Sequence, residues 1–186
     1  MMGNVAGAIG SAFGVAAGLV SLIDVVLANV GLSTAPYNLL FGLWVLWFVI
    51  QGNGFLVVYI QTNRKTALVS FTLGLTAGLE VMMPTQVYFV PLIGIVTLAL
   101  YDIFGGVTFL RMSGDGRIKS PHAWAGILFV LLGPGMFLTP FPLSLFVIPL
   151  LVIVANALAL LAFSSPGGTA VPRETAEQPS DGAGLL

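Results

Sequence analysis

The chain of 186 residues contains no cysteine and a single histidine, His122. Without cysteine there is no disulfide, no thiolate zinc site, no cysteine-held iron–sulfur cluster and no thiol nucleophile. A lone histidine excludes a bis-His haem and a histidine-rich copper, zinc or di-iron centre within one chain. Charge is scarce as well: six Lys+Arg and seven Asp+Glu amount to 7% of the residues, with a net charge of −1. No basic face is available to neutralise phosphates, so nucleic acid is not an expected partner. A soluble domain carries about 25% charged residues, and so few charges cannot clothe a 19.4 kDa protein against water. The G-x-S-x-G, H-E-x-x-H and G-x-x-x-x-G-K motifs are missing too. The sequence therefore predicts no enzyme, no cofactor and no metal site.

What is present is apolar length. A helix rises about 1.5 Å per residue, so about 20 apolar residues cross a hydrocarbon core of about 30 Å. Six such stretches occur, at about 5–28, 41–60, 66–83, 86–110, 123–138 and 144–163. They predict an all-α fold, a polytopic helical bundle of six transmembrane helices embedded in the lipid bilayer. The third stretch is the shortest, closed by Pro84, and the fifth is interrupted by Pro134 and closed by Thr139-Pro140-Phe141-Pro142. A reading with five spans therefore stands beside the six. The runs are continuous rather than alternating, which argues against a β-barrel.

The cations set the orientation. Arg64 and Lys65 fall between spans two and three, Arg111, Arg117 and Lys119 between spans four and five, and Arg173 after span six. Six spans put all of these on one face, and the positive-inside rule makes that face cytoplasmic, with both termini, in the cell membrane. Met1–Gly14 lacks the positive segment of a signal peptide, and Asp24 interrupts the apolar run that follows. Residues 164–186, rich in Pro and Gly and carrying Glu174, Glu177 and Asp181, are expected to be a disordered polar tail.

Span one carries Gly3, Gly7, Gly10, Gly14 and Gly18 on one helical face. Small residues let helix backbones approach closely in lipid, so this is a packing stripe for another span or for a second copy of the protein. Span two carries Gln51-Gly52-Asn53-Gly54 near its midpoint. Polar groups at that depth need partners, and irregular backbone there is tolerated only within protein or beside a water-filled cavity. A loop, with span two ending at Ile50, would put a cation-bearing link on the wrong face, and two other readings follow. Gln51 and Asn53 either form a midplane polar site of the kind transporters build on broken helices, or they bond helices together. Trp44, Trp47 and Gln51 share a face. Tryptophans so placed are expected in the interfacial belt, together with Tyr37, Tyr88 and Trp124.

Carboxylates within spans are costly and usually face the bundle interior or a water path. Asp24 and Glu80 lie toward the outer ends of their helices, within reach of water. Thr72, Thr76 and Glu80 recur every four residues and make a polar stripe, a candidate lining for a hydrophilic path. Asp102 lies about two turns from Arg111. It is expected either to pair with Arg111 or Lys65 by snorkelling or to serve as a proton-titrating or cation-binding group. The candidate solute path thus comprises Gln51, Asn53, Thr72, Thr76, Glu80 and Asp102.

In size and orientation the chain resembles the acetate-uptake family of six-helix channels, and it is similar in size to urea/amide channels. The Asn-Pro-Ala-Pro-Leu signature of the former is absent; the corresponding stretch reads Gly3-Asn4-Val5-Ala6-Gly7-Ala8, so no functional residue is carried over. The expectation is a small-solute channel or passive transporter. The alternative is a non-catalytic accessory subunit of a larger membrane complex, and a homo-oligomer or other membrane subunits are the expected protein partners.

Overall fold

A computed structural model describes residues 4–32, 37–82, 90–113, 120–138 and 144–165. Every regular element among them is helical: α1 (Val5–Asn29), α2 (Tyr37–Thr62), α3 (Lys65–Met82), α4 (Val90–Met112), α5 (Pro121–Gly135) and α6 (Ser144–Ser164). A 3-10 turn, Met136–Leu138, extends α5. The polar tail expected from residue 164 lies outside the described residues from 166 onward, and α6 reaches Ser164.

Local chemistry explains the helix ends. The Asn4 side chain caps α1, its oxygen accepting from the Gly7 N–H at 2.9 Å. Gly31, with φ of +71°, takes the left-handed turn after α1. Asn63, at φ +53°, does the same after α2 while its N–H bonds to Tyr59 O at 2.7 Å. Ser120 caps α5 and Pro121 occupies its first turn, where a missing N–H costs nothing. Pro134 removes a donor near the end of α5, and the helix tightens to 3-10 geometry directly after Gly135. By contrast α6 runs through Pro149 without ending.

Five helices are long and apolar enough to cross a membrane, by length and composition. The remaining one, α3, has 18 residues bracketed by Lys65 and Glu80, which gives about 27 Å of helix. Each helix packs on its neighbours in sequence, and α1 closes onto α6, so the six form one ring. Close approaches show that the neighbours are antiparallel. Gly7 meets Gly54 while Gly10 meets Gln51. Gly14 meets Asn156 and Gly18 meets Ile153. Across α2 and α3, Gly74 meets Gly52 while Gly78 meets Val49. The start of α1 and the end of α6 are joined directly, with Asn4 N–H donating to Phe163 O at 3.0 Å.

This arrangement gathers the described cations at one end. Arg64 and Lys65 follow α2, Arg111 closes α4, and the starts of α1 and α5 and the end of α6 lie at the same end. Burial, and then repulsion from Arg111, lower the pKa of the Arg64 guanidinium from its ordinary value. Asp24 and Glu80 lie toward the opposite end.

Glycine makes the ring compact. Gly7, Gly10, Gly14 and Gly18 are all buried, wedged between α2 and α6. A Cβ on Gly7 would meet the Phe163 ring at 2.6 Å, and one on Gly10 would overlap the Gln51 backbone. The α1 stripe therefore packs against other spans of the same chain; Gly3 lies outside the described residues. The α4–α5 crossing uses the same device, since a Cβ on Gly106 would stand 2.6 Å from Gly126 O and one on Gly126 2.8 Å from Gly106 O. Aromatic side chains fill the middle: Trp47, Phe48, Phe55, Tyr101, Phe109, Phe129 and Phe163 are buried in one cluster.

Candidate functional site in the bundle interior

Gln51 is the hub of the interior, fully buried on α2. Its carbonyl oxygen accepts from Trp47 Nε1 at 2.8 Å and from Tyr101 Oη at 2.6 Å. Its amide nitrogen donates to Ser11 Oγ at 2.8 Å and to Asn156 Oδ1 at 2.9 Å. Both acceptor sites and both donor hydrogens are thus used. The partners stand on α1, α2, α4 and α6, so one amide ties four helices. Ser11 passes its own hydrogen to Gly7 O and Asn156 donates to Val152 O, which closes the network.

The neighbouring residues of the Gln51-Gly52-Asn53-Gly54 stretch take other duties. The helix is continuous through it. Gly52 faces Gly74 of α3, and Gly54 meets Gly7 of α1. Asn53 is partly buried and donates to Val49 O one turn back. The Gly54 carbonyl accepts from Asn4 Nδ2 at 2.6 Å. The Trp47 indole lies inside the bundle rather than in an interfacial belt, because Gln51 one turn along the same face supplies an acceptor. Trp124 is exposed at the start of α5, as a belt residue should be. Tyr88 and the side chain of Tyr37 lie outside the described residues.

The threonines do not join this interior. Thr72 and Thr76 are exposed on the outer face of α3, and each hydroxyl bonds back to a carbonyl of its own helix, Leu68 O and Thr72 O. Glu80, one turn further, is partly buried; Oε1 accepts from Thr97 Oγ1 of α4 at 3.0 Å and Oε2 has no hydrogen-bond partner.

Asp102 stands apart from all of these. It is 1% exposed, and neither carboxylate oxygen has a hydrogen-bond partner. It pairs with neither Arg111 nor Lys65 among the described residues. Native interiors satisfy nearly all buried polar groups, and Gln51, bonded to Tyr101 next to Asp102 in the chain, is fully satisfied. On α4, Asp102 shares a face with Gly105 and Phe109. Phe109 packs against Phe55, Phe129 and Phe163, with ring centroids 5.5, 5.8 and 5.0 Å away.

Sequence reasoning gave no site role to Ser11, Tyr101, His122 or Asn4. Ser11 lies on the Gly7–Gly14 face, and Tyr101 directly precedes Asp102; those positions were the available signals. Among the described residues no group of three or more His, Asp or Glu side chains is placed to hold a metal ion. No protein-family model, curated protein or solved structure matches the chain, so the functional argument rests on the chemistry of the interior.

Proposed function

We propose that the protein is a membrane transporter or channel for a small solute, and that Asp102 is its working group, taking up and releasing a proton during transport. The observation that carries this reading is the buried, unpartnered carboxyl of Asp102. An ionised carboxylate without a partner is among the most expensive groups to bury, and within a membrane-spanning helix such a group is by default a functional one. The surrounding chemistry supports it, because the neighbouring Gln51–Trp47–Tyr101–Ser11–Asn156 network is fully satisfied while both oxygens of Asp102 are left open. The reaction needed is simple: a proton adds to a carboxylate oxygen from one side and leaves from it to the other. No covalent bond of the solute changes. The aromatic packing around Phe109 belongs to an occluded state in this reading, and the state in which Asp102 meets water follows from a rearrangement of those rings.

The test is proton flux into liposomes holding the purified protein, read with a trapped pH-sensitive dye under an imposed potential. The wild type is expected to carry flux well above that of empty liposomes, and Asp102→Asn to lose it at least tenfold while keeping its helical content and elution volume. Equal flux from Asp102→Asn, or none from the wild type, would contradict the reading.

A second reading, an accessory subunit of a larger membrane assembly, draws on the outward face of α3. Exposed Thr72, Thr76 and Lys65 make it the most polar outer surface among the described helices. Under that reading the protein purifies from its membrane in a fixed ratio with other polypeptides and carries no flux alone.

A further inference from the structure

We propose that His122 is the relay through which the proton reaches Asp102 from the cation-bearing end, and that Phe109 is the gate between the two. The proposal rests on the transport reading and adds to it a route, a direction and a barrier.

His122 is the second residue of α5, after Ser120 and Pro121, and so sits at the end of the bundle that holds Arg64, Lys65 and Arg111. It is nevertheless 6% exposed, and its Nε2 has no hydrogen-bond partner. An imidazole at the rim of a membrane bundle has water close by, and one kept out of that water with an open nitrogen is as unexpected as the open carboxyl of Asp102. One side chain, Phe109, touches the imidazole and stands on the Asp102 face of α4. The His122 ring lies against Phe109, with centroids 6.5 Å apart and planes tilted by 58°. Phe109 lies seven residues after Asp102 on α4, two turns along the same face and about 10 Å along the axis.

Between Phe109 and Asp102 this stretch of α4 carries Gly105 and Gly106. A Cβ on Gly105 would stand 3.1 Å from the Phe55 ring, and one on Gly106 would stand 2.7 Å from Val130 N. The two glycines add no side chain on that face, and the Phe55 ring and α5 fill the space beside them, so the Phe109 ring, which packs on Phe55, has to move for water to join imidazole to carboxyl. The elements packed on α5 hold few other titratable groups. α4 supplies Tyr101, Asp102 and Arg111, and described α6 has none. Tyr101 is committed to Gln51, and Arg111 is exposed at the helix end. Asp102 is therefore the one acceptor along this face.

The proton balance is complete without a co-reactant. Water at the cation end protonates one nitrogen of neutral His122, giving imidazolium. The other nitrogen releases its proton through a chain of waters to a carboxylate oxygen of Asp102. The imidazole is then neutral in its other tautomer and returns by a ring flip.

The flux assay above tests this with His122→Gln, which keeps a polar group of similar reach, and His122→Ala. Both are expected to lower flux about tenfold. Added imidazole is expected to restore His122→Ala but not Asp102→Asn. The pH profile of wild-type flux should show an inflection in the histidine range that His122→Gln lacks, and Phe109→Ala should raise flux several-fold. A purely structural His122 would show neither the imidazole rescue nor the lost inflection. If both His122 variants conduct like the wild type while Asp102→Asn does not, the relay is wrong and the role of Asp102 stands. If the wild type carries no flux, both fall together.

Discussion

At the scale of single residues, the interior separates polar groups that are completed from those left open. Gln51 belongs to the first kind. Gln51→Leu would keep the volume but strip partners from Trp47, Tyr101, Ser11 and Asn156. Intramembrane hydrogen bonds are worth about 0.6 to 2 kcal/mol each, so a loss of about 2–4 kcal/mol is expected, read as easier unfolding in a denaturant series in detergent. A change near zero would show that the hub adds little. The sequence made Gln51 visible because an amide at mid-span is rare, but it left two uses open, a solute site or a bond between helices. What decides between them is the register of α1, α4 and α6 against α2, and no local pattern encodes that. Trp47 shows the same limit: its spacing from Gln51 revealed a shared face without showing which way the face pointed. Asp102 was legible as a carboxyl too deep for comfort, yet its lack of a partner emerges only once Arg111 and Lys65 are placed at the end of the bundle.

Among the elements, the decisive contacts are glycine crossings, and glycine substitutions within and away from them should behave in opposite ways. A Cβ on Gly10 would overlap the Gln51 backbone, and one on Gly106 would stand 2.6 Å from Gly126 O, whereas one on Gly42 meets nothing within 4 Å. Gly10→Leu and Gly106→Leu are expected to cost about 2–3 kcal/mol through overpacking. Gly42→Ala is expected to be neutral or to add up to about 1 kcal/mol, since alanine suits a helix interior better. Thermal unfolding of the three variants in one detergent ranks them. The α1 stripe was readable from spacing alone, because residues three and four apart must share a face. Which helices receive it was not, because an intramolecular and an intermolecular crossing ask for the same residues. The outward turn of Thr72 and Thr76 also escaped the pattern: their four-residue spacing guaranteed a common face, and α3 turned that face away from its neighbours.

For the whole molecule, the organising fact is a closed ring of antiparallel helices with Arg64, Lys65 and Arg111 at one end and Asp24 and Glu80 toward the other. Six apolar runs and the grouping of the cations made this much apparent from the sequence, because hydrocarbon thickness fixes helix length and charge fixes the ends. The closure of α1 onto α6 was not apparent, since it depends on Gly7, Gly14 and Gly18 meeting Phe163, Asn156 and Ile153 across more than a hundred residues. The absence of native cysteine makes the topology directly measurable. Single cysteines at Lys65, Ser113 and Ser165 would report one end of the ring, and a single cysteine at Gly31 the other. With a membrane-impermeant maleimide applied to sealed vesicles of known orientation, the first three are predicted to label from one and the same side and Gly31→Cys only from the opposite side. Labelling of Lys65→Cys and Ser113→Cys from opposite sides would contradict the six-helix ring and the buried placement of Asp102 that depends on it.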